Sequence, residues 1–245
     1  MKIDAFSIKG VRENNQDAYM VGVSDGEMLS ISLFHHGKLE QFELDTALPA
    51  GAEIALVADG MGGLANGEQA SYLTSMKFID FLEDYFDPID DISEILEVAI
   101  KELSSNVAAG APEAGSTIVG VLLLQDGCWM FNVGDSKCIL FTGEEIIRSK
   151  DHTFGEEMRS SIITDYIGME GTPDVHVVTL PVPKCGILFS DGLNPAFTKY
   201  GEQICETQMT AESLVNEAVS LGSDDNVTCI LLRNGSGVIA NGVVR

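Results

Sequence analysis

Two helix-like patterns stand next to each other in the middle of this chain, and strand-like sequence lies on both sides of them. Apolar residues recur close to every 3.6 positions over 68–86 and again over 91–110, where Asp91 and Glu94 have capping-box spacing. A third helix is predicted over 210–222. Helices and strands therefore do not alternate one by one, as they do in parallel sheets. The order favours antiparallel sheets with helices packed outside them, an α+β layered domain.

Most of the chain outside these helices is predicted to form strands. Alternating or continuously apolar segments bounded by turn residues indicate them. We predict two short strands in 4–23 around the polar turn GVRENNQD, a hairpin over 28–48, the strand EIALVADG, a β-meander over 116–148, and the strands VHVVTLPV, GILFSDG and VTCILLR.

The size and composition allow one large domain or two small ones. The chain has 245 residues, of which 45% are hydrophobic. Because the sequence shows no linker or repeat, we predict a single domain over 1–235 and a tail over 236–245. No apolar run approaches the roughly eighteen residues of a membrane span, and MKIDAFSIKG lacks the order of a signal peptide. We expect a soluble, cytoplasmic protein and favour a monomer.

The net charge restricts the partners. Fourteen basic and 38 acidic residues give a formal charge of −24. Such a surface repels nucleic acid, because phosphate binding needs clustered Lys and Arg, and it argues against anionic membranes. The acids either form a solvated face or hold cations, and their positions must decide between the two.

The five cysteines are scattered and odd in number, and none forms a C-x-x-C pair. We therefore expect buried, reduced thiols rather than a disulfide framework or a zinc site.

Five aspartates stand next to apolar segments, where core should meet solvent. They are Asp17, Asp59, Asp135, Asp191 and Asp225. Taken singly, each is more typical of a turn than of a metal site, since Asp-Gly is a common turn dipeptide. Carboxylates brought together would repel one another unless cations neutralise them, and such oxygens suit Mg²⁺ and Mn²⁺.

Gly60 and Arg12 strengthen the metal hypothesis. Glycine after Asp59 lets the backbone approach closely, so the Gly60 carbonyl could itself bind an ion. A guanidinium such as that of Arg12 can hold a phosphate in a bidentate manner, although a surface salt bridge is the commoner role of a lone arginine. The segment GMGGLANGE lacks the G-K-[ST] ending of a nucleotide-binding P-loop.

Seven motifs occur in the order found in the metal-dependent protein phosphatases, the type 2C serine/threonine phosphatases, and the chain resembles their bacterial branch from about residue 5 to 232. The motifs are GVRENNQD, VADGMGG, AGSTIVGVL, NVGDSKCIL, DHT, LFSDGL and DNVT. The resemblance implies a four-layer α-β-β-α sandwich of two antiparallel sheets with flanking helices. It also implies a binuclear metal site at one edge.

The resemblance assigns metal ligands. By match to DGMGG, Asp59 bridges two Mn²⁺ or Mg²⁺ ions and Gly60 gives its carbonyl. By match to SDGL and DNVT, Asp191 and Asp225 complete the shell of one ion, while Asp17 acts through water.

The remaining roles concern phosphate and support. By match to R-x-x-N-x-D, Arg12 holds the substrate phosphate, and Asp135 is similar to an acid that binds a third, weaker ion. Asn226 supports Asp225, and Gln16 stands where many members have Glu.

The implied reaction is hydrolysis of phosphoserine and phosphothreonine in proteins by a hydroxide shared between two ions. The implied partners are proteins phosphorylated by a serine/threonine kinase. The alternatives are a phosphatase-like binding module without turnover and a metal-dependent nuclease, the latter weakened by the charge of −24. A cysteine phosphatase is disfavoured, because no C-x5-R arrangement is present.

Several positions depart from the family pattern. Met61 stands where some relatives carry a histidine, so the general acid stays open, with a metal-bound water or His152 as candidates and a structural turn role favoured for His152. The segment 153–164 is shorter than the usual flap, which should alter substrate choice, and the hairpin over 28–48 is an addition. His35 and His36 should point to opposite faces of a strand and should not share an ion.

Overall fold

The computed structural model describes residues 1–62, 66–84, 86, 91–154, 162–205 and 207–234. Its strands are β1 (Lys2–Ile8), β2 (Asp17–Ser24), β3 (Met28–His35), β4 (Lys38–Asp45), β5 (Glu53–Met61), β6 (Gly115–Ser116), β7 (Ile118–Leu123), β8 (Cys128–Val133), β9 (Lys137–Phe141), β10 (Ile146–Arg148), β11 (His176–Leu180), β12 (Cys185–Phe189) and β13 (Val227–Arg233). Its α-helices are α1 (Asn66–Asp84), α2 (Ile92–Gly110), α3 (Asn194–Tyr200) and α4 (Ala211–Ser220). The predicted tail over 236–245 lies outside the described residues.

The strands form two antiparallel sheets. The small sheet has the order β1-β13-β12-β9-β10. The large sheet has the order β11-β8-β7-β5-β2-β3-β4, and β6 pairs with the end of β5. The predicted α+β class and antiparallel pairing are confirmed, and so is the hairpin predicted over 28–48, which β3 and β4 form at one edge of the large sheet.

Three groups of buried side chains separate four layers. Leu56 lies in the core between the large sheet and helices α1 and α2. Its neighbour Val57 lies in the core between the two sheets, together with Leu188 and Ile230 of the small sheet. A third core packs Leu214 of α4 against the outer face of the small sheet. Strand β5 is thus buried on both faces, which explains why its sequence is continuously apolar rather than alternating. The implied four-layer sandwich is confirmed.

The predicted β-meander over 116–148 is wrong in one respect. β7 and β8 pair in the large sheet, whereas β9 and β10 pair in the small one. The chain changes sheets at Gly134, whose φ of 103° is a left-handed conformation that favours glycine. Alternating apolar residues predict strands but do not tell which of two stacked sheets a strand joins.

The helix ends follow local capping. The Asp91 side chain accepts hydrogen bonds from the backbone N–H groups of Ser93 and Glu94, so α2 begins where the capping spacing predicted. Thr210 and Ser213 form a capping box at α4. The sequence prediction missed α3, because seven residues are too few to show a periodic stripe.

Two further expectations need correction. Cys185, at the start of β12, forms a disulfide with Cys205, with a Cα–Cα separation of 6.0 Å, whereas the other three cysteines are free and buried. Cys185 and Cys205 are 20 residues apart in the sequence, and this spacing alone does not predict that the fold brings them together. His36 lies in the turn after β3 with φ 48°, so its ring and that of His35 are in contact, with centroids 4.9 Å apart, instead of pointing to opposite faces.

No helix among the described residues is both long and apolar enough to cross a membrane.

Candidate metal and phosphate site

The predicted aspartates meet where one end of the large sheet faces one end of the small sheet. Asp17, the first residue of β2, pairs directly with Asp59 near the end of β5. Asp191 follows β12 and Asp225 precedes β13, and these two strands are neighbours in the small sheet. Distant segments therefore deliver carboxylates to one edge because antiparallel neighbours begin and end together.

Asp17 joins the two sheets. Its Oδ2 accepts hydrogen bonds from Ser190 Oγ at 2.8 Å and from Thr228 Oγ1 at 2.6 Å. Its Oδ1 is buried and has no hydrogen-bond partner. Burial is the main cause that raises the pKa of Asp17 from 3.8 to about 6, although the two hydroxyl bonds oppose it. The free oxygen is an acceptor held away from water, which is costly unless a cation or a donor meets it.

Asp59 lies among the other acids. Burial first, and then the negative charges of Asp17, Asp191, Asp135 and Asp225, raise its pKa well above 3.8. The pKa of Asp191 is likewise raised to about 7, first by burial and then by neighbouring carboxylates. Mutual repulsion of this kind shows that the carboxylates are close enough to influence one another.

The backbone around Gly60 is tightly packed. Its N–H donates to the Gln16 carbonyl at 3.2 Å. A Cβ atom at Gly60 would overlap the carbonyl oxygen of Gly67 in the first turn of α1. Glycine is therefore required here by close approach of main chain to main chain, a reason separate from the predicted contact of its carbonyl with an ion.

The side chain of Asn226 holds the loop between β1 and β2. Its Oδ1 accepts from Gln16 N at 2.8 Å, and its Nδ2 donates to the Lys9 and Asn14 carbonyls. The support that it gives Asp225 comes from its backbone N–H, which donates to Asp225 Oδ1 at 2.8 Å. The side chain of Gln16 lies against Gly67.

Arg12 is placed beside the carboxylates by that same loop. Its Nη2 donates to Asp225 Oδ2 at 2.8 Å, and its Nε donates to the Asp224 carbonyl at 2.8 Å. About half of the Arg12 side chain is exposed. The guanidinium therefore reaches both solvent and the acidic cluster.

Asp135 lies at the rim of the cluster. Burial raises its pKa, the nearby charge of Lys137 opposes the rise, and Asp151 adds to it. Lys137 Nζ donates to the Asp151 carboxylate at 2.9 Å. This ion pair gives Lys137 a structural role beside the cluster.

His152 has the contacts of a structural residue. It is buried, and its Nδ1 accepts from the backbone N–H of Gly134 at 3.0 Å, at the point where the chain changes sheets. Burial lowers its pKa. The short flap begins next to it with Thr153 paired to Ile163, and residues 155–161 of that flap lie outside the described part.

The donor set suits a hard divalent cation. It consists of carboxylates and a glycine carbonyl, and one buried carboxylate oxygen of Asp17 has no partner. Within the described ranges no three Asp, Glu, His or Cys side chains already form a closed metal cage. The fit to such an ion therefore rests on the type of donor and on the partnerless oxygen of Asp17.

Sequence reasoning missed two hydroxyl residues of this site. Ser190 precedes Asp191 and Thr228 ends the DNVT motif, and both hold Asp17. Their adjacency to the acidic motifs was the available signal, but a Ser or Thr beside an Asp is equally typical of a turn.

The comparisons place this architecture among known proteins. A sequence model of the protein phosphatase 2C family matches residues 34–221, and the chain belongs to this family. It is similar to the serine/threonine phosphatase stp of Listeria innocua, with 26% identity over 73% of this chain and 83% of that protein. It is also similar to the serine/threonine protein phosphatase PstP of Mycobacterium tuberculosis, with 28% identity over 74% of this chain but only 40% of the longer relative.

A solved structure shares the fold. The catalytic domain of PstP in complex with two manganese ions matches with a TM-score of 0.67 and 24% identity, covering 94% of this chain and 96% of that one. At that identity the likeness shows the fold, and the family model shows the membership.

Proposed function

We propose that this protein hydrolyses phosphoserine and phosphothreonine in proteins with the help of two Mn²⁺ or Mg²⁺ ions. The observation that carries the proposal is the meeting of carboxylates from both sheets, with one buried oxygen of Asp17 left without a partner. Family membership supports the reaction class. The choice of serine and threonine is supported by the relatives, which are serine/threonine phosphatases by name.

Each residue has a part in this function. Asp59, Asp191, Asp225 and the Gly60 carbonyl would hold the ions, with Asp17 acting through water and Asp135 as the candidate for a third ion. Bound ions supply charge neutralisation and a water of lowered pKa.

The polypeptide supplies orientation. Ser190 and Thr228 fix the rotamer of Asp17, so its free oxygen keeps one direction. Asn226 fixes the loop that carries Arg12. Arg12 binds the phosphoryl oxygens and offsets their charge when it leaves Asp225.

The finer assignments belong to the same proposal. The chain acts in the cytoplasm as a monomer in bacterial signalling, on proteins phosphorylated by a serine/threonine kinase, without binding nucleic acid or membranes. The charge of −24 supports the last two points.

The test is hydrolysis of p-nitrophenyl phosphate and of a phosphothreonine peptide with Mn²⁺, with Mg²⁺ and with EDTA. We expect metal-dependent turnover that Asp59→Asn removes. Asp126→Asn is the matched control, because Asp126 is exposed in the turn between β7 and β8 and lies outside the cluster. Turnover that persists in EDTA would refute the proposal.

A phosphatase-like binding module is the second candidate. The ion pair between Arg12 and Asp225 favours it, because this contact engages Asp225, a residue expected to bind metal. Binding of a phosphopeptide without release of phosphate at any Mn²⁺ concentration would select this alternative.

A further inference from the structure

Helices α1 and α2 leave a groove between them on the outer surface of the molecule. The groove has a volume of about 680 Å³ and lies between the C-terminal half of α1 and the part of α2 that runs from Glu94 to Asn106. This volume is within the range of about 300–1,000 Å³ that ligand sites occupy. None of the residues assigned to the proposed phosphatase reaction lies on this surface.

The floor of the groove is apolar. Phe81 and Leu103 form its buried part, with exposed fractions of 7% and 3%. Ile95 is partly buried, and Val98 is 57% exposed although it lies within a 19-residue helix. An exposed valine next to a buried phenylalanine makes a surface that gains free energy when it is covered.

The rim of the groove is acidic. Among the described residues that line it, the acids are Asp80, Asp84, Asp91, Glu94 and Glu102, and Lys77 is the one basic residue. Lys77 is already paired with Asp80, at 2.8 Å between Nζ and Oδ2. The floor therefore offers apolar contact while the rim offers unmatched negative charge.

We propose that this groove docks a basic amphipathic helix of a partner protein. Apolar side chains of one helix face would cover Val98 and Phe81, and flanking Lys or Arg would meet Glu94 and Glu102. Charge complementarity selects this occupant over a second copy of the chain, since each copy carries −24.

The groove lies apart from the acidic site. Gly67, in the first turn of α1, packs against Gly60, whereas the groove begins at Lys77. Ten residues of helix separate the two points by about 15 Å. A docked helix should therefore leave hydrolysis of a small phosphate ester unchanged, so the groove recruits a partner rather than taking part in the reaction.

The test uses the full chain and a labelled peptide. The probe is a fluorescent 18-residue helical peptide with leucines on one face and lysines on the other, titrated in EDTA and 0.15 M salt and followed by anisotropy. A peptide of the same composition with its leucines spread around the helix serves as the comparison. Because the readout needs neither metal nor turnover, its failure is separate from failure of the proposed phosphatase activity.

Two groove variants and two matched controls locate the binding. The groove variants are Glu94→Gln combined with Glu102→Gln, and Val98→Gln. The controls are Glu144→Gln combined with Glu145→Gln, two exposed acids in the turn between β9 and β10, and Val182→Gln, a valine with 39% exposure elsewhere.

We expect a Kd at least tenfold higher in both groove variants, no change in the controls, and the same rate of p-nitrophenyl phosphate hydrolysis in all four. Circular dichroism confirms that each variant is folded. Equal binding of both peptides, or equal Kd values in groove and control variants, would show general attraction to an acidic surface and would overturn the proposal. Sedimentation showing a dimer that only the groove variants dissociate would overturn it in favour of a second copy.

Discussion

Arg12 and Asp225 face each other across the candidate site. Arg12 Nη2 donates to Asp225 Oδ2 at 2.8 Å, while Arg12 Nε donates to the neighbouring Asp224 carbonyl. The residue expected to bind phosphate thus holds the residue expected to bind metal. Both functions require that this ion pair opens, and both side chains are partly exposed, so solvent already weakens it.

Replacement of Arg12 should therefore separate phosphate binding from metal binding. In Arg12→Ala we expect the KM for a phosphate ester to rise about tenfold or more, since hydrogen bonds to a charged group contribute about 1.5–3 kcal/mol. The Mn²⁺ affinity should not fall, because Asp225 loses a competitor. Steady-state kinetics and calorimetric titration measure the two effects. Arg12→Lys should recover only part of the KM, because lysine lacks the planar fork, and weaker Mn²⁺ binding in Arg12→Ala would contradict this assignment.

The two hydroxyl groups on Asp17 should affect metal affinity. Removing both in Ser190→Ala combined with Thr228→Val frees the carboxylate to rotate, and we expect Mn²⁺ affinity to fall about 10- to 100-fold, as it does when the partners of metal ligands are removed. Thr228→Ser keeps the hydroxyl and should stay near the parent. An unchanged affinity in the double variant would mean that Asp17 does not take part in ion binding.

Burial of the carboxylates, together with their mutual repulsion, should appear as a pH-dependent stability of the metal-free protein. The pKa of Asp17 is raised to about 6 and that of Asp191 to about 7, above the ordinary 3.8. The folded state therefore keeps protons that the unfolded state loses, so these groups lower the free energy of unfolding as pH rises from about 4 to about 7. Asp191→Asn removes the part of this loss in the free energy of unfolding that Asp191 causes. That part is at most about 4 kcal/mol for a pKa raised from 3.8 to about 7.

Urea unfolding in EDTA at pH 5 and pH 8 measures this effect as the difference between variant and parent, which cancels the titration of groups that do not interact with Asp191. We expect Asp191→Asn to be more stable than the parent at pH 8 and closer to it at pH 5. Asp126→Asn should show no such change. If Asp191→Asn were less stable than the parent at pH 8, a charged Asp191 would not destabilise the metal-free folded protein, and the prediction would be wrong.

The substitution Gly60→Ala tests whether this position requires glycine, because it adds a single methyl group. In Gly60→Ala the added Cβ would overlap the Gly67 carbonyl, a backbone atom that cannot move aside cheaply. We expect a loss of more than about 3 kcal/mol, larger than common point substitutions cause, together with loss of activity. Gly37→Ala is the control: it has φ 70° and no atom within 4 Å of its added Cβ, so only the left-handed backbone cost of about 1–2 kcal/mol applies. Equal losses in the two variants would remove the close-approach explanation.

The sequence predicted the elements better than their arrangement. Apolar periodicity located α1, α2, α4 and most strands, and Asp91 marked the start of α2. It did not show that β8 and β9 belong to different sheets, because both are buried on both faces. The pairing of Cys185 with Cys205 depends on tertiary contact alone, which spacing does not reveal.

The order of the motifs predicted which residues belong to the candidate site, but it did not predict the contacts between them. The resemblance named Asp17, Asp59, Asp191 and Asp225, and the antiparallel pairing of their strands explains why they meet. The sequence allowed a surface salt bridge for Arg12 but did not identify Asp225 as its partner, because that choice depends on the loop geometry that Asn226 sets.

The number of Mn²⁺ ions that the chain binds decides whether its aspartates form a two-ion site. Equilibrium dialysis of the parent protein should give two tightly bound ions per chain, and Asp59→Asn should bind fewer and more weakly. Phosphothreonine hydrolysis should rise in step with occupancy of those two sites. A parent chain that binds no Mn²⁺, or an Asp59→Asn variant that binds it equally well, would contradict the account.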